Sequence, residues 1–130
     1  MTQLSRSIAG LLALFLLLPG LLEAASALEQ ATERYITHLD EMGQLLATVQ
    51  DEASAQTAKP KLQEIMRKLR EVLKQFDNVS AATRAQLERR YETRMGAVAE
   101  RLQKQVGRVM ANPQLRPHIE EALSRFPTLH

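Results

Sequence analysis

The stretch from Ser80 to Ala111 constrains the fold most, because it is the longest uninterrupted helical pattern in the chain. Its apolar residues follow each other at intervals of 4, 4, 3, 4, 4 and 3, which is close to the helical period and places them on one nearly straight line. We call this line the apolar seam: Leu87, Tyr91, Met95, Val98, Leu102, Val106 and Val109. The other helices of the chain are expected to cover it.

Two shorter segments before it have the spacing of helices that pack against other helices. In the first, about residues 29–50, and in the second, about residues 55–77, apolar residues recur at intervals of 4, 3, 4 and 3. They are Tyr35, Leu39, Met42, Leu46 and Val49 in the first segment, and Leu62, Met66, Leu69, Leu73 and Phe76 in the second. Asp51 or Ser54 is expected to cap the second helix, which Pro60 is expected to bend or restart.

The connections between these segments are short, which favours neighbouring helices that run antiparallel. Ser80 is a suitable N-cap for the long helix, which we place at residues 81–111, and Asn112-Pro113 ends it. A short helix that folds over the end of the long one is predicted at about residues 117–125 by the spacing of Leu115, Ile119, Leu123 and Phe126. The predicted fold is all-α, an antiparallel bundle of three main helices plus a short C-terminal helix.

Residues 1–27 are typical of a secretory signal peptide. A positively charged start is followed by an apolar stretch from Ile8 to Leu22, and the small residues Ala25 and Ala27 suit a cleavage site. A proline and a glycine interrupt the apolar stretch, which is then too short to span a bilayer core of about 30 Å, so an uncleaved anchor is the weaker interpretation. Cleavage leaves residues 28–130 as a single helical domain without a transmembrane anchor.

The chain contains no cysteine. A lipid-modified lipoprotein carries its lipid on a cysteine, so this class is excluded, together with any disulfide framework. A domain of about 100 residues can bury a core without disulfides, so an oxidising compartment is compatible with the composition. With the predicted signal peptide, these observations predict a periplasmic protein of a Gram-negative cell or a secreted protein.

Charge is distributed unevenly along the chain. Residues 28–55 carry one basic and six acidic side chains, whereas residues 80–111 carry seven basic and three acidic ones. Five basic residues of the long helix fall on one line, about 100° around the helix from the apolar seam. We call them the basic line: Arg90, Arg94, Arg101, Lys104 and Arg108.

The basic line has two interpretations. Its aliphatic stems cover the edge of the core while its charges meet acidic neighbours, or it binds a polyanion such as lipopolysaccharide phosphates, an acidic protein or nucleic acid. No aromatic residues interleave the line, so single-stranded nucleic acid has little to stack on and is not expected as a partner.

No pattern of residues in the sequence supports catalysis or cofactor binding. There is no glycine-rich phosphate loop and no nucleophile elbow. His38 and Met42 stand one helical turn apart, but two ligands are too few for a copper site, and the methionines of the mature chain fit the apolar lines. We therefore expect no enzymatic activity, no cofactor and no metal.

Two resemblances accompany these patterns. The segment Asp51-Glu-Ala-Ser-Ala-Gln-Thr-Ala-Lys-Pro-Lys-Leu62, with the heptads that follow it, resembles small uncharacterised helical proteins of Gram-negative bacteria that carry signal peptides. That resemblance implies no activity. Thr83-Arg-Ala-Gln86 is similar to part of the paired Leu-Thr-x-x-Gln motifs of the periplasmic Spy and CpxP stress chaperones, with Ala82 in place of the leucine and no second copy.

The sequence as a whole favours a non-enzymatic exported protein that binds or supports another envelope component through a helical face. The expected partner is a protein or an anionic component of the envelope. The alternative is a Spy-like periplasmic holdase chaperone, and a third interpretation is self-association into a coiled-coil oligomer.

Overall fold

A computed structural model gives the fold, and it describes residues 19–124. Within this part of the chain, four α-helices follow one another: α1 (Pro19–Ala47), α2 (Glu52–Lys74), α3 (Ala81–Met110) and α4 (Arg116–Ser124). Residues 19–124 contain no β-strand. The prediction of an all-α protein with four helices is confirmed at the level of secondary structure.

Contacts divide the chain into two compact units between Gln30 and Ala31. This division falls within α1, and the packing described below belongs to the residues from Ala31 onward. Within residues 19–124, no helix combines the length and the apolar character needed to cross a membrane.

Helix α1 starts earlier than predicted. We expected a helix over about residues 29–50, whereas α1 begins at Pro19 and continues through Ala25 and Ala27 to Ala47. Proline suits the first turn of a helix, where its missing N–H would have no partner, which agrees with Pro19 as the first residue of α1. Residues 1–18 of the predicted signal peptide lie outside the described part of the chain.

The start of α2 uses both candidate caps together. The Asp51 carboxylate accepts a hydrogen bond from the Ser54 backbone N–H at 2.8 Å, and the Ser54 hydroxyl accepts one from the Asp51 N–H at 3.0 Å. These bonds lower the pKa of the Asp51 carboxyl. The predicted restart at Pro60 is wrong, because α2 runs through it from Glu52. Pro60 is exposed, so the carbonyl it leaves without an N–H donor can be satisfied by water.

Helix α3 agrees closely with the prediction for residues 81–111. The Ser80 hydroxyl accepts a hydrogen bond from the Thr83 N–H at 3.2 Å and caps the helix start. Helix α4 packs against both α2 and α3 and buries Ile119 and Ala122, and Leu115 is buried directly before it. Two polar contacts join α4 to α2: Nε2 of His118 lies 3.3 Å from Oε1 of Glu52, and Nζ of Lys59 lies 3.8 Å from Oε2 of Glu121.

The core is formed by apolar side chains from all four helices and the connections between them. Its largest fully buried members are Ile36, Met42, Leu46, Leu62, Met66, Leu69, Leu115, Ile119, Val49 and Val109. At Gly43 the backbones of α1 and α3 come close, since a Cβ added there would lie 3.8 Å from the Cα of Leu102. A single Cβ would fit here at van der Waals distance, whereas a longer side chain would meet the backbone of α3.

Candidate functional site

Two arginines of the basic line meet acidic residues of α1 at heptad intervals. The Arg94 guanidinium forms an ion pair with the Glu33 carboxylate, and Nη2 of Arg101 lies 3.1 Å from Oδ1 of Asp40. Both the arginines and their partners are seven residues apart, so α1 and α3 run in the same direction here. Because these side chains are about half exposed, each pair adds only about 0.2–1 kcal/mol to stability.

One heptad further along α3, Arg108 contacts backbone carbonyls of α1. Its Nη2 donates to the Leu46 carbonyl at 2.7 Å and its Nη1 donates to the Val49 carbonyl at 2.9 Å. Since α1 ends at Ala47, the Leu46 carbonyl lies in the last turn of the helix, at the negative end of its dipole, and the Val49 carbonyl lies two residues beyond the helix. Arg108 therefore caps the C-terminus of α1.

The two remaining members of the basic line have other surroundings. Arg90 lies over the ring of Tyr91, with its Cζ 5.9 Å from the ring centroid, and Lys104 is exposed. Arg94, Arg101 and Arg108 thus hold α3 against α1. The prediction that the basic line binds a polyanion stays a prediction. About half of the side-chain surface of Arg94 and of Arg101 is exposed and could contact such a partner.

The apolar seam of α3 is covered unequally on its two sides. Four of its residues are buried: Tyr91, Val98, Leu102 and Val109. Three are only half-buried: Leu87, Met95 and Val106. At about 100° per residue, Met95 and Val106 lie on the side of the seam away from the basic line. The seam is therefore closed by α1 on one side and less covered on the other.

An apolar groove of about 1150 Å³ runs along this less covered side. On α3 its lining extends from Ala81 to Gly107, about 39 Å at 1.5 Å per residue. The other walls and the ends come from α1, the end of α2, the connection after it and α4, through Thr32, Tyr35, Leu39, Leu73, Phe76 and Leu123. The groove has the length of a helix of several turns.

Small residues on α3 leave the space for this groove. Five of the residues that line it have at most a methyl side chain: Ala81, Ala85, Gly96, Ala99 and Gly107. A Cβ added at Gly96 or Gly107 would meet no atom within 4 Å, in contrast to the contact at Gly43. A larger side chain at Gly96 would enter the groove without displacing the core.

Few polar groups line the groove. Near the α2–α3 connection, Nη2 of Arg84 donates to the Phe76 carbonyl at 2.5 Å, which fixes this guanidinium at one end. One and two turns further along α3, the carboxylates of Glu88 and Glu92 stand at the groove wall and are exposed to solvent. On the opposite wall, burial raises the pKa of the Tyr35 phenol, which stays neutral at physiological pH.

The histidines of the described chain meet single carboxylates. Nδ1 of His38 lies 3.3 Å from Oε2 of Glu41, and Nε2 of His118 lies 3.3 Å from Oε1 of Glu52. Within residues 19–124, no three side chains of the types His, Asp and Glu are placed to share a metal ion. His130 lies outside the described residues.

The groove was not predicted from the sequence. We expected the whole seam to be covered, whereas part of it forms a wall of the groove. A signal was present in the small residues Gly96, Ala99 and Gly107, which recur on one flank of the seam at helical spacing. Such a flank cannot fill the space beside it with its own side chains.

Comparison with known proteins gives one family. The model of a family of unknown function (DUF6657) matches residues 52–128, a range that begins with the first residue of α2 and includes α3 and α4. No curated protein and no solved structure matches the chain significantly.

Proposed function

Because the chain belongs to that family of unknown function, we propose from its own geometry that it is a non-enzymatic, exported binding protein. Its groove takes an amphipathic helix of another envelope protein. One observation carries this proposal: the groove along α3 is apolar, open and about as long as a helix of several turns. Helix-in-groove binding uses such a surface, with apolar residues of the partner helix as anchors.

The size of the groove favours a helix over a small ligand. Pockets for small molecules usually measure about 300–1,000 Å³ and enclose most of the ligand surface. This groove has a larger volume, about 1150 Å³, and follows α3 for about 39 Å. A helix of about 20 residues, which is about 30 Å long, fits within that length.

The proposed arrangement of the main helices is an antiparallel bundle. Nη2 of Arg34 lies 3.3 Å from Oε1 of Gln75, which brings an early part of α1 next to the end of α2. The contacts of α1 with Arg94 and Arg101 follow the same direction on both helices. This order of contacts supports a chain that runs up, down and up through α1, α2 and α3.

Export through a cleaved signal peptide is the second part of the proposal. The apolar stretch from Ile8 to Leu22 and the small residues Ala25 and Ala27 support it. Production of the 130-residue chain in a Gram-negative host, followed by fractionation and N-terminal sequencing, tests it. We expect a periplasmic or secreted protein that begins at Leu28. An intact N-terminus in the cytoplasm would refute the export proposal alone.

The groove is tested with a neutral amphipathic peptide of 20 residues, with leucine on one face and glutamine on the other. Tyr35 and Tyr91 both line the groove and are the two tyrosines of the chain, which has no tryptophan. Tyrosine fluorescence therefore reports binding to the protein purified from the host. We expect saturable binding, which Gly96→Leu weakens at least tenfold because its side chain enters the groove.

The control is Ala97→Leu, which places the same leucine side chain on the adjacent, exposed residue that does not line the groove. It should bind the peptide like the unmodified protein. Equal loss of binding in both variants, or no binding at all, would contradict the proposed function. Light scattering without peptide gives the mass, and a stable dimer that Gly96→Leu dissociates would identify a second copy as the occupant.

A Spy-like holdase is the second candidate, because an open apolar groove also accepts extended segments of unfolded proteins. The two functions differ in the state of the partner. A holdase suppresses the aggregation of an unfolded client at near-stoichiometric ratio, and Gly96→Leu should abolish this effect. A protein that binds the helical peptide and leaves aggregation unchanged is a helix-binding module.

The basic line remains a separate proposed surface for polyanions. The exposed portions of Arg94 and Arg101 support it, whereas their ion pairs with α1 compete with it. Replacement of Arg94, Arg101 and Arg108 by alanine should reduce retention on a polyanion resin. Unchanged retention of a folded variant would remove the basic line as a binding surface.

A further inference from the structure

We propose that the groove selects helices that carry basic residues beside their apolar face. The inference rests on the proposed function and specifies the chemistry of the partner helix. Two carboxylates carry it, Glu88 and Glu92, which stand one turn apart on the α3 wall of the groove. A lysine or arginine at the polar edge of a bound helix would lie next to them.

These two carboxylates differ from the other acidic residues that face a neighbouring helix. Glu33 and Asp40 of α1 already pair with Arg94 and Arg101. Glu88 and Glu92 lie on the opposite flank of the seam, away from those arginines by more than a third of a turn around the helix. Their charge is therefore directed towards whatever occupies the groove.

The basic group on the same wall, Arg84, offsets this charge only in part, because it stands beside two carboxylates. The Arg84 guanidinium is fixed at the end of the groove by its hydrogen bond to the Phe76 carbonyl, at 2.5 Å. The wall beyond Glu92 continues with Met95, Gly96, Ala99 and Gln103, which are uncharged. The part of the α3 wall from Arg84 to Glu92 thus carries a net negative charge and borders the apolar floor of the groove.

Charges at the edge of an interface act mainly on the choice of partner and on the rate of association. Exposed pairs have small individual effects, so two of them change the dissociation constant by about tenfold at most. The apolar floor, formed by residues such as Leu39 and Leu102, provides the affinity that all amphipathic helices share. Selectivity and affinity therefore come from different residues and can be separated by substitution.

The test compares three peptides with the same leucine face and with lysine, glutamine or glutamate at the positions that flank it. Each is titrated into the purified protein and followed by tyrosine fluorescence at low salt. The inference predicts that the lysine peptide binds about tenfold more tightly than the glutamate peptide, with the glutamine peptide between them. At about 1 M salt, where the screening length is about 3 Å, this order should disappear.

Matched variants assign the effect to the groove wall. Glu88→Gln with Glu92→Gln should bring the affinities of the three peptides within about twofold of each other. Glu100→Gln makes the same change of charge on an exposed residue of α3 that does not line the groove, and the preference for lysine should persist. Thermal unfolding followed by circular dichroism verifies that all variants are folded.

The outcomes separate this inference from the proposed function. Equal affinity for the three peptides in the unmodified protein overturns the inference and leaves helix binding intact. A lysine preference that Glu100→Gln reduces as much as the double variant also overturns it, because the effect is then one of net charge. If none of the peptides binds, the proposed function fails and the inference fails with it.

Discussion

The two flanks of α3 are built from the same helix and border the same apolar seam, yet they meet different surroundings. On one flank, long basic side chains reach α1 and bind its carboxylates and its last carbonyls. On the other flank, small residues leave a groove that no side chain of residues 31–124 fills. The basic flank is the more conspicuous one in the sequence, whereas the flank of small residues borders the groove that we propose as the binding surface. The size of the side chains, more than their charge, therefore decides which flank of α3 packs against α1 and which flank leaves a groove.

The largest effect is expected from placing the same residue on each flank. Gly43→Leu forces a side chain between α1 and the backbone of α3, and it should lower the free energy of unfolding by about 3 kcal/mol. Gly96→Leu enters open space and replaces a poor helix former, so it should raise that free energy by up to about 1 kcal/mol. Urea unfolding followed by circular dichroism measures both. Similar losses at the two sites would contradict the difference between the flanks.

The next effect concerns the end of α1. Arg108→Ala removes the donors to the Leu46 and Val49 carbonyls, and it should lower the free energy of unfolding by about 1.5 kcal/mol. Lys104→Ala, on the same line but exposed, should change it by less than about 0.5 kcal/mol and serves as the control. Equal effects of the two substitutions would show that the helix-end contact does not stabilise the protein.

A smaller effect is expected for the ion pairs of the closed flank. A double-mutant cycle with Arg101→Ala and Asp40→Ala should give a coupling energy of about 0.5 kcal/mol, because both side chains are largely solvated. The coupling should fall towards zero at about 1 M salt. A coupling that salt does not reduce would mean that the pair is far less solvated than the structure shows.

The smallest effect is a titration on the open flank. Because burial raises the pKa of Tyr35 in the folded state, its contribution to stability is complete below about pH 10 and is lost as the pH rises through the folded pKa. Alkaline titration of tyrosinate absorbance should show a late component that Tyr35→Phe removes. A bound peptide should delay this component further, since it adds to the burial. If the substitution instead removes an early component, Tyr35 is not buried in solution.

The elements with strong local signals were predictable. Helix α3 spans Ala81–Met110, one residue shorter than predicted, and α4 spans Arg116–Ser124, one residue earlier at each end. Ser80 and Asn112-Pro113 set those boundaries through local hydrogen bonding and the geometry of proline. Helices α1 and α2 begin earlier than predicted, at Pro19 and Glu52, because the predicted cleavage site set the expected start of the first and Asp51, not Ser54, is the N-cap of the second.

The site was less predictable, since it depends on distances between helices. The sequence identifies Arg94, Arg101 and Arg108 as members of one line, but their partners depend on how α1 is placed along α3. The apolar pattern of Leu87, Met95 and Val106 shows that these residues favour burial, but it does not show how far the neighbouring helix stands from them. The groove arises from that distance.

The cap that Arg108 forms on α1 also removes an ambiguity of alignment. Charged pairs repeated every seven residues permit a helix to slip by one heptad, because Asp40 would then face Arg94 or Arg108 instead of Arg101. The carbonyls at the end of a helix occur once, so they do not repeat under such a slip. Arg108 and Gly43 together therefore favour the observed register, with which the weak ion pairs agree.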